Sequence, residues 1–443
     1  EYWNARGGSY TDGGAFLFDV KPTEDGGKEL VMTNKFGDVV DTHPRGDCKP
    51  VPAADHSPVE VTKMGSNLAY FAVLEALPHM GWAEALATLE AIEAHSAMAG
   101  REWAWDLLTR LLDRRYDTGG LRRSLWLDLV GAALNRTLAS ATHEPCDGFV
   151  GQRTVGHRPH PASHSQRIVV DARPYSSEGT ESLALELVAL YREGWKRFVL
   201  LHCRGHRFIG NGFGPGTSGV SIDVFGAIGD YLGSGSDGME IHMHGNAQDQ
   251  VAQIHKAGEL VVHGDVGQCY GYGAKGGRLF VLGNAAGRPM INAVGSPKVV
   301  INGTALDYLA ESFMAGDPLD GGGFIIINGM RFDERGELEP LETPYPGGNL
   351  FSLASGGAIY VRDPYQRLSD SQLNGGAFTD MTEADWAVVE PMLQRNEKHF
   401  GISLQRLLTV DGELTSPAEV YRKVIPVKSK ILHAEIAWGG HHD

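Results

Sequence analysis

A chain of 443 residues, 42% hydrophobic and 21% charged, can bury a full core, which excludes a disordered or low-complexity protein. Its formal charge of −16 repels phosphate backbones, so no nucleic-acid partner is expected. No stretch of about 18 uninterrupted apolar residues suggests a membrane span, and Cys48, Cys146, Cys203 and Cys269 are too dispersed for a zinc ribbon or a ferredoxin-type cluster.

Residues 1–55 read as loops and short strands, with strand-like runs at Gly13–Val20 and Glu29–Met32 separated by Gly26-Gly27. The start Glu1-Tyr2-Trp3-Asn4 lacks the basic and apolar regions of a secretory signal. Unpaired, dispersed cysteines suit a reducing compartment, so a cytoplasmic location is expected. Residues 56–145 read as a helical module. Leu68, Phe71, Leu74 and Leu77 recur at helical spacing, as do Ala85, Leu86, Leu89 and Ile92, then Leu107, Leu108, Leu111 and Leu112, then Trp126, Leu129, Val130 and Leu134. That pattern predicts three or four helices. Residues 146–166, rich in Pro, His and Ser, read as a linker. It carries His157-x-x-His160-x-x-x-His164, a metal-like spacing, but no rigid element to hold three ligands, so a solvated linker is expected.

Residues 167–330 open with an αβ unit. Ile168–Val170 is a strand, Thr180 is the expected N-cap of a helix burying Leu183, Leu187, Leu190 and Tyr191, Gly194 ends that helix, and Phe198–Leu201 is the next strand. A repeat follows. Of the 58 glycines in the chain, 28 lie between Gly205 and Gly329, a density well above the usual ~7%. Aligned on Gly205, Gly226, Gly245, Gly264, Gly283, Gly303 and Gly329, the steps are 21, 19, 19, 19, 20 and 26 residues. Four residues before each glycine stand Leu201, Ile222, Ile241, Leu260, Leu279, Val299 and Ile325; two before stand Cys203, Val224, Met243, Val262, Val281, Ile301 and Ile327. Both columns are apolar, and a spacing of two puts them on one face of a strand. Two residues after the glycine, Ile228, Ala247, Val266, Ala285 and Ala305 form a third apolar column. A unit of this length suits one coil of a right-handed parallel β-helix, whose coils bury their inward face only against each other. Each aligned glycine is expected to turn a corner in a left-handed or tight conformation, and the following Asn246, Asp265 and Asn284 to bond their own backbone.

Residues 331–443 read as a loop-rich extension with a capping helix. Thr382-x-x-Asp385 marks its start, and Pro391 should kink it or delay its onset. This helix and the loops after Met330 are expected to cover the last coil, and the αβ unit the first. The fold class expected is therefore α+β multidomain: a solenoid with a helical N-terminal module and a C-terminal helical cap. His244 and His263 hold equivalent places in adjacent units, so their rings should stack about 4.8 Å apart with His242 beside them, as an external, solvated ladder. No G-x-x-x-x-G-K-[ST] phosphate loop occurs and no nucleophile elbow is plausible. No catalytic, cofactor-binding or metal-ligating residue is assigned.

Asp230-Tyr231-Leu232-Gly233-Ser234-Gly235-Ser236-Asp237-Gly238-Met239-Glu240-Ile241 resembles the D-Y-V-G-K-G-L-S-G-G core of the GXGXG β-helix, the C-terminal domain of the glutamate synthase large subunit, with Asp237 replacing one glycine. Gly321-Gly322-Gly323-Phe324 resembles that family's closing coil, and the resemblance spans about 165–428, including the tail from Asp385 to Lys428. Residues 1–150 resemble nothing comparable. The synthase's N-terminal cysteine, FMN barrel and cluster-binding cysteines have no counterpart here. The resemblance therefore implies a non-catalytic scaffold or assembly subunit of a cytoplasmic flavin/iron–sulfur oxidoreductase of glutamate-synthase type. Flavin and iron–sulfur clusters would reside in partner subunits, with no cofactor in this chain. A related β-helix also occurs in formylmethanofuran dehydrogenase, as one of its subunits, which is an alternative kinship. Two other readings are a β-helix lyase or hydrolase acting on acidic polysaccharide, and a small-molecule or cofactor-binding module built on the helical part.

Overall fold

A computed structural model describes residues 16–22, 28–34, 39–40, 59–61, 64–139 and 148–427. Gly13, Cys48 and Cys146 lie outside these residues, as does the end of the C-terminal extension. β1 (Phe16–Pro22), β2 (Lys28–Asn34) and β3 (Val39–Val40) pair antiparallel as a small sheet. Four helices follow: α1 (Ser66–Ala76), α2 (Trp82–Ala99), α3 (Arg101–Asp113) and α4 (Arg123–Ala139). Their buried stripe joins Leu89, Ile92, Leu107, Leu108, Leu111, Trp126, Val130 and Leu134. On α1 the buried face is Ala69, Tyr70 and Val73, so Leu68 and Phe71, expected inside, point outward instead. An evenly apolar helix has no single stripe to read, and packing chose between its two faces.

The main body is mixed α/β around a twelve-stranded, mostly parallel sheet. Its strands run in chain order: β4 (Phe149–Gly151), β5 (Arg167–Asp171), then, after α5 (Leu183–Arg192), β6 (Arg197–His206), β7 (Ser221–Ile228), β8 (Asp237–Met243), β9 (Ala257–Val262), β10 (Arg278–Val281), β11 (Lys298–Ile301) and β12 (Phe324–Ile327). β4 falls within the stretch read as a linker, and Ser182 rather than Thr180 stands at the N-cap of α5. After a hairpin of β13 (Met330–Phe332) and β14 (Leu338–Pro340), β15 (Ala358–Arg362) joins β12 in parallel. The remaining elements are β16 (Gly376–Thr379), α6 (Glu383–Phe400), α7 (Leu404–Leu408), β17 (Thr409–Val410), β18 (Glu413–Leu414), α8 (Pro417–Val420) and β19 (Tyr421–Pro426). β19 pairs antiparallel with both β15 and β16, and so closes the edge that α6 was expected to cover.

The register follows the repeat. Ile222 pairs with Ile241, then Leu260, Leu279, Val299 and Ile325 in turn, and Met243 with Val262, Val281, Ile301 and Ile327. β15 adds Ile359 and Val361 to the same two columns, in a region read as loops. A second row of parallel bridges links Ile228, Ala247, Val266, Ala285 and Ala305. The first unit departs from the alignment. A register shift between Leu200 and Cys203 puts Phe198 opposite Ile222 and Leu200 opposite Val224, so Leu201 faces the helical module.

The aligned glycines do not mainly serve left-handed corners. Among them only Gly205, Gly226 and Gly329 have positive φ. At Gly264, Gly283 and Gly303 an added Cβ would lie 2.1, 2.1 and 2.3 Å from Oδ1 of Asn246, Asp265 and Asn284. Those oxygens accept hydrogen bonds from the backbone N–H of Asp265, Asn284 and Thr304, one unit on, at 2.8, 2.7 and 3.0 Å. The ladder thus bonds its neighbour's backbone, not its own as expected. Left-handed conformations occur elsewhere, at alternate residues: Gln250, Ala252 and Ile254; Cys269, Gly271 and Gly273; Arg288, Met290 and Asn292.

The sheet is buried on both faces. One lines the core of the paired columns. The other is covered over Val169, Val199, Leu201 and Phe225 by the helical module, and over Val261, Phe280, Val300, Phe324, Ile326 and Tyr360 by α6 and its neighbours. α6 therefore lies along the wall. Its capping box forms as read, with Asp385 N–H donating to Thr382 at 3.2 Å and Thr382 N–H to Asp385 at 2.9 Å; Pro391 is accommodated within the helix without delaying its start.

Two substitutions test this architecture. Val262 and Val281 are fully buried opposite each other; Val262→Asp places an unpaired carboxylate between them and should destabilise by several kcal/mol, whereas an unchanged melting temperature would place Val262 outside the core. Gly283→Ala should also lower the melting temperature, and Asp265→Ala in the same chain should recover part of the loss, because the two side chains collide. Strict additivity in that double-mutant cycle would remove the collision as the cause.

Candidate functional site

The two covers of the outer wall meet over β8 and β9. α3 ends there at Asp113, and α6 ends there at His399 and Phe400. His242 lies on β8, while His244 and His263 follow directly on β8 and β9, so pairing between units sets them side by side. Phe225, His244 and His263 form one stack, with ring centroids 4.1 and 5.4 Å apart and planes within 7° and 16° of parallel. His242 stands 6.2 Å from His244, 6.3 Å from His263 and 5.8 Å from His399.

The stack is as the repeat predicts, but it is not a solvated ladder. The side chains of His244 and His263 are only 3% and 5% exposed. The reason is the cover: an outward-facing position on this sheet is outward only until another element packs over it.

Burial makes the polar contacts decisive. His244 Nδ1 lies 2.9 and 3.0 Å from the two Asp113 oxygens, and its Nε2 3.2 Å from Asp223 Oδ1. A carboxylate only accepts, so both ring nitrogens donate and His244 is an imidazolium. Burial alone would lower its pKa, but Asp113 and Asp223 push it up to about 10. Burial likewise works to raise Asp113, yet the charged, hydrogen-bonded His244 leads in bringing it down to about 2. His263 is the opposite case. Burial holds it well below the usual imidazole range, its Nδ1 has no hydrogen-bond partner, and its Nε2 is 3.6 Å from Asp113 Oδ2, beyond a hydrogen bond. Burial also lowers His242. Beside them His399 Nε2 is 3.0 Å from Glu259 Oε1, and Glu259, almost wholly buried, also pairs with Arg395 and Arg278 at 2.8 Å each. Those three partners hold Glu259 below the usual carboxylate range against the effect of burial.

Two clefts reach this cluster. One of about 510 Å³ runs between the helical module and the wall, past Arg115, Asn135, Gly226, His244 and His263. Another of about 360 Å³ opens onto Trp105, Arg167, Asp223, Glu240 and His242. The arrangement can hold a buried positive charge between two carboxylates and offers a neutral imidazole with a free lone pair beside them.

Other residues singled out from sequence are not gathered into a site. His157, His160 and His164 are exposed, and among the described residues the His/Cys/Asp/Glu group with metal-compatible spacing is Asp113, His244 and His263. Cys203 is buried in β6, with its thiol pushed up by burial, and Cys269 sits at a left-handed position between β9 and β10. Asp113, Asp223 and His399 carry no local signal, because Asp113 reads as one more polar residue on an amphipathic helix and lies 131 positions from His244.

A family model described as the GXGXG motif matches residues 194–426, more than half of the chain and the part that holds β6 to β19. No curated protein matches the chain.

His244→Gln should destabilise the chain by on the order of 3 kcal/mol, since it leaves the buried Asp113 and the partly buried Asp223 without their cation. The loss should depend on pH. Because His244 is raised from 6.5 to about 10, its contribution is complete below 6.5 and vanishes as pH rises through 10. Because Asp113 is lowered from 3.8 to about 2, its contribution is complete above 3.8 and vanishes as pH falls through 2. The gap in melting temperature between parent and variant should be widest between those bounds and narrow toward pH 10. A gap that stays constant from neutral to alkaline pH would mean that His244 is not charged.

Proposed function

The chain belongs to the GXGXG motif family, that of the C-terminal domain of the glutamate synthase large subunit, and from that premise we propose that it is a non-catalytic scaffold subunit of a flavin/iron–sulfur oxidoreductase of glutamate-synthase type. The observation that carries this reading is the coincidence of the family match with the ladder: residues 194–426 take in every parallel pair from β6 to β15. On this reading the ladder is one right-handed parallel β-helix. Two rows of parallel pairing at the same step support it, as does the run of alternating left-handed residues that turns the chain between them. The proposal keeps flavin and clusters in partner subunits and places the complex in the cytoplasm. Among the described residues no helix is long and apolar enough to cross a membrane.

A scaffold acts through surfaces. The wall is already covered by the chain's own helices, so docking falls to the outer side of the covers. There Leu68 and Phe71 lie one turn apart on α1, 64% and 57% exposed. Native purification followed by mass spectrometry should recover the chain with at least one cofactor-bearing subunit, across an interface above about 1,000 Å². Recovery as a lone monomer that cleaves an acidic polysaccharide would replace the scaffold reading with that of a β-helix enzyme.

A further inference from the structure

We propose that Asp113, His244 and His263 form a binding site for a divalent transition-metal ion, zinc by ligand preference, at the seam between the helical module and the wall. The donor set is one carboxylate and two imidazoles, a combination that zinc accepts readily. His244 Nδ1 and Asp113 are 2.9 Å apart, His263 Nε2 and Asp113 Oδ2 3.6 Å, and all three donors lie within 4.8 Å of one another. A tetrahedron with bonds of about 2.0–2.1 Å has edges of about 3.3 Å, so small side-chain rotations suffice.

The second observation is His263 itself. Its side chain is only 5% exposed, Nδ1 has no partner, and Nε2 stops short of hydrogen-bonding Asp113. Nε2 is the nitrogen that faces Asp113, and in the neutral ring with its proton on Nδ1 its lone pair is available there. A cation between Nε2 and Asp113 would give that nitrogen a partner. The third is Asp223, whose carboxylate accepts from Nε2 of His244 at 3.2 Å while Nδ1 faces the site. A carboxylate behind a ligating imidazole fixes its orientation and raises its basicity. Both histidines are held by the register of adjacent strands and Asp113 by the end of α3, so the ligands sit on rigid elements. The ion would enter from the cleft that borders His244 and His263, and a water on that side would complete four-coordination. On binding, the ion replaces the proton shared by His244 Nδ1 and Asp113, and that proton leaves to solvent. This site is independent of the scaffold reading.

The test uses the full-length, tag-free chain, stripped with a chelator and then titrated with Zn²⁺ or Co²⁺. One equivalent of zinc should be retained, the melting temperature should rise, and cobalt should give the visible d–d absorption of a four-coordinate site. His263→Gln should lose the cobalt signature. Asp223→Asn should weaken uptake by roughly 10–100-fold. A triple variant replacing the exposed His157, His160 and His164 with Ala should bind as the parent does. Failure of the parent chain to retain stoichiometric zinc and to give the cobalt spectrum overturns the proposal, and this outcome needs no variant to fold. Unchanged binding by folded His263→Gln, or loss of binding in the triple variant, overturns the assignment equally.

Discussion

Parallel pairing in register is the constraint on which the rest of the molecule depends. When each unit hydrogen-bonds to the next at the same step, a residue meets its own counterpart one unit away. Leu260 meets Leu279, Val262 meets Val281, and the core grows as columns of like residues. The same rule governs polar positions. Asn246, Asp265 and Asn284 stack, and each caps the backbone of the next, so the position before the capped residue, Gly264, Gly283 or Gly303, must carry no side chain. It governs His244 and His263 as well, and there the stacking of like residues becomes an electrostatic problem.

Two stacked imidazoles under a protein cover cannot both be charged at low cost, and the wall resolves this by making them unequal. His244 receives two carboxylates and keeps its proton; His263 receives none within hydrogen-bond range and stays neutral. One of those carboxylates, Asp113, comes from the helical module, so the charge state of the wall depends on a different part of the chain. Apolar residues of the same volume are often at least as stable as a buried ionic cluster of this kind. Stability therefore does not explain the cluster, and its geometry invites a role in position or ligand binding.

What is legible in the sequence is whatever repeats. The columns from Ile222 to Ile327, the third column at Ala247 and Val266, and the stacking of His244 on His263 all follow from one period. What is not legible is whatever happens once. The bulge between Leu200 and Cys203 that rotates Leu201 out of its column does not recur at that place in later units, and β15 rejoins the ladder only after an insertion that hides the period. The role of the glycines is hidden for a related reason. A glycine can mark a left-handed turn or a close approach, and the sequence at Gly264 does not say that an Asn246 oxygen occupies the place of its Cβ. Burial of the histidines depends on which helices lie over β8 and β9, and only tertiary packing decides that.

The seam joins these observations. Asp113 belongs to the helical module, outside the family match, while His244 and His263 belong to the family's ladder. Anything that occupies the space between them binds both parts at once and favours their docked arrangement over any other by its own binding free energy. An occupant there need perform no chemistry to matter: it would fix where α1, with Leu68 and Phe71 facing outward, stands relative to the wall. A buried cluster that bridges the helical module and the wall ties the two parts at a fixed point.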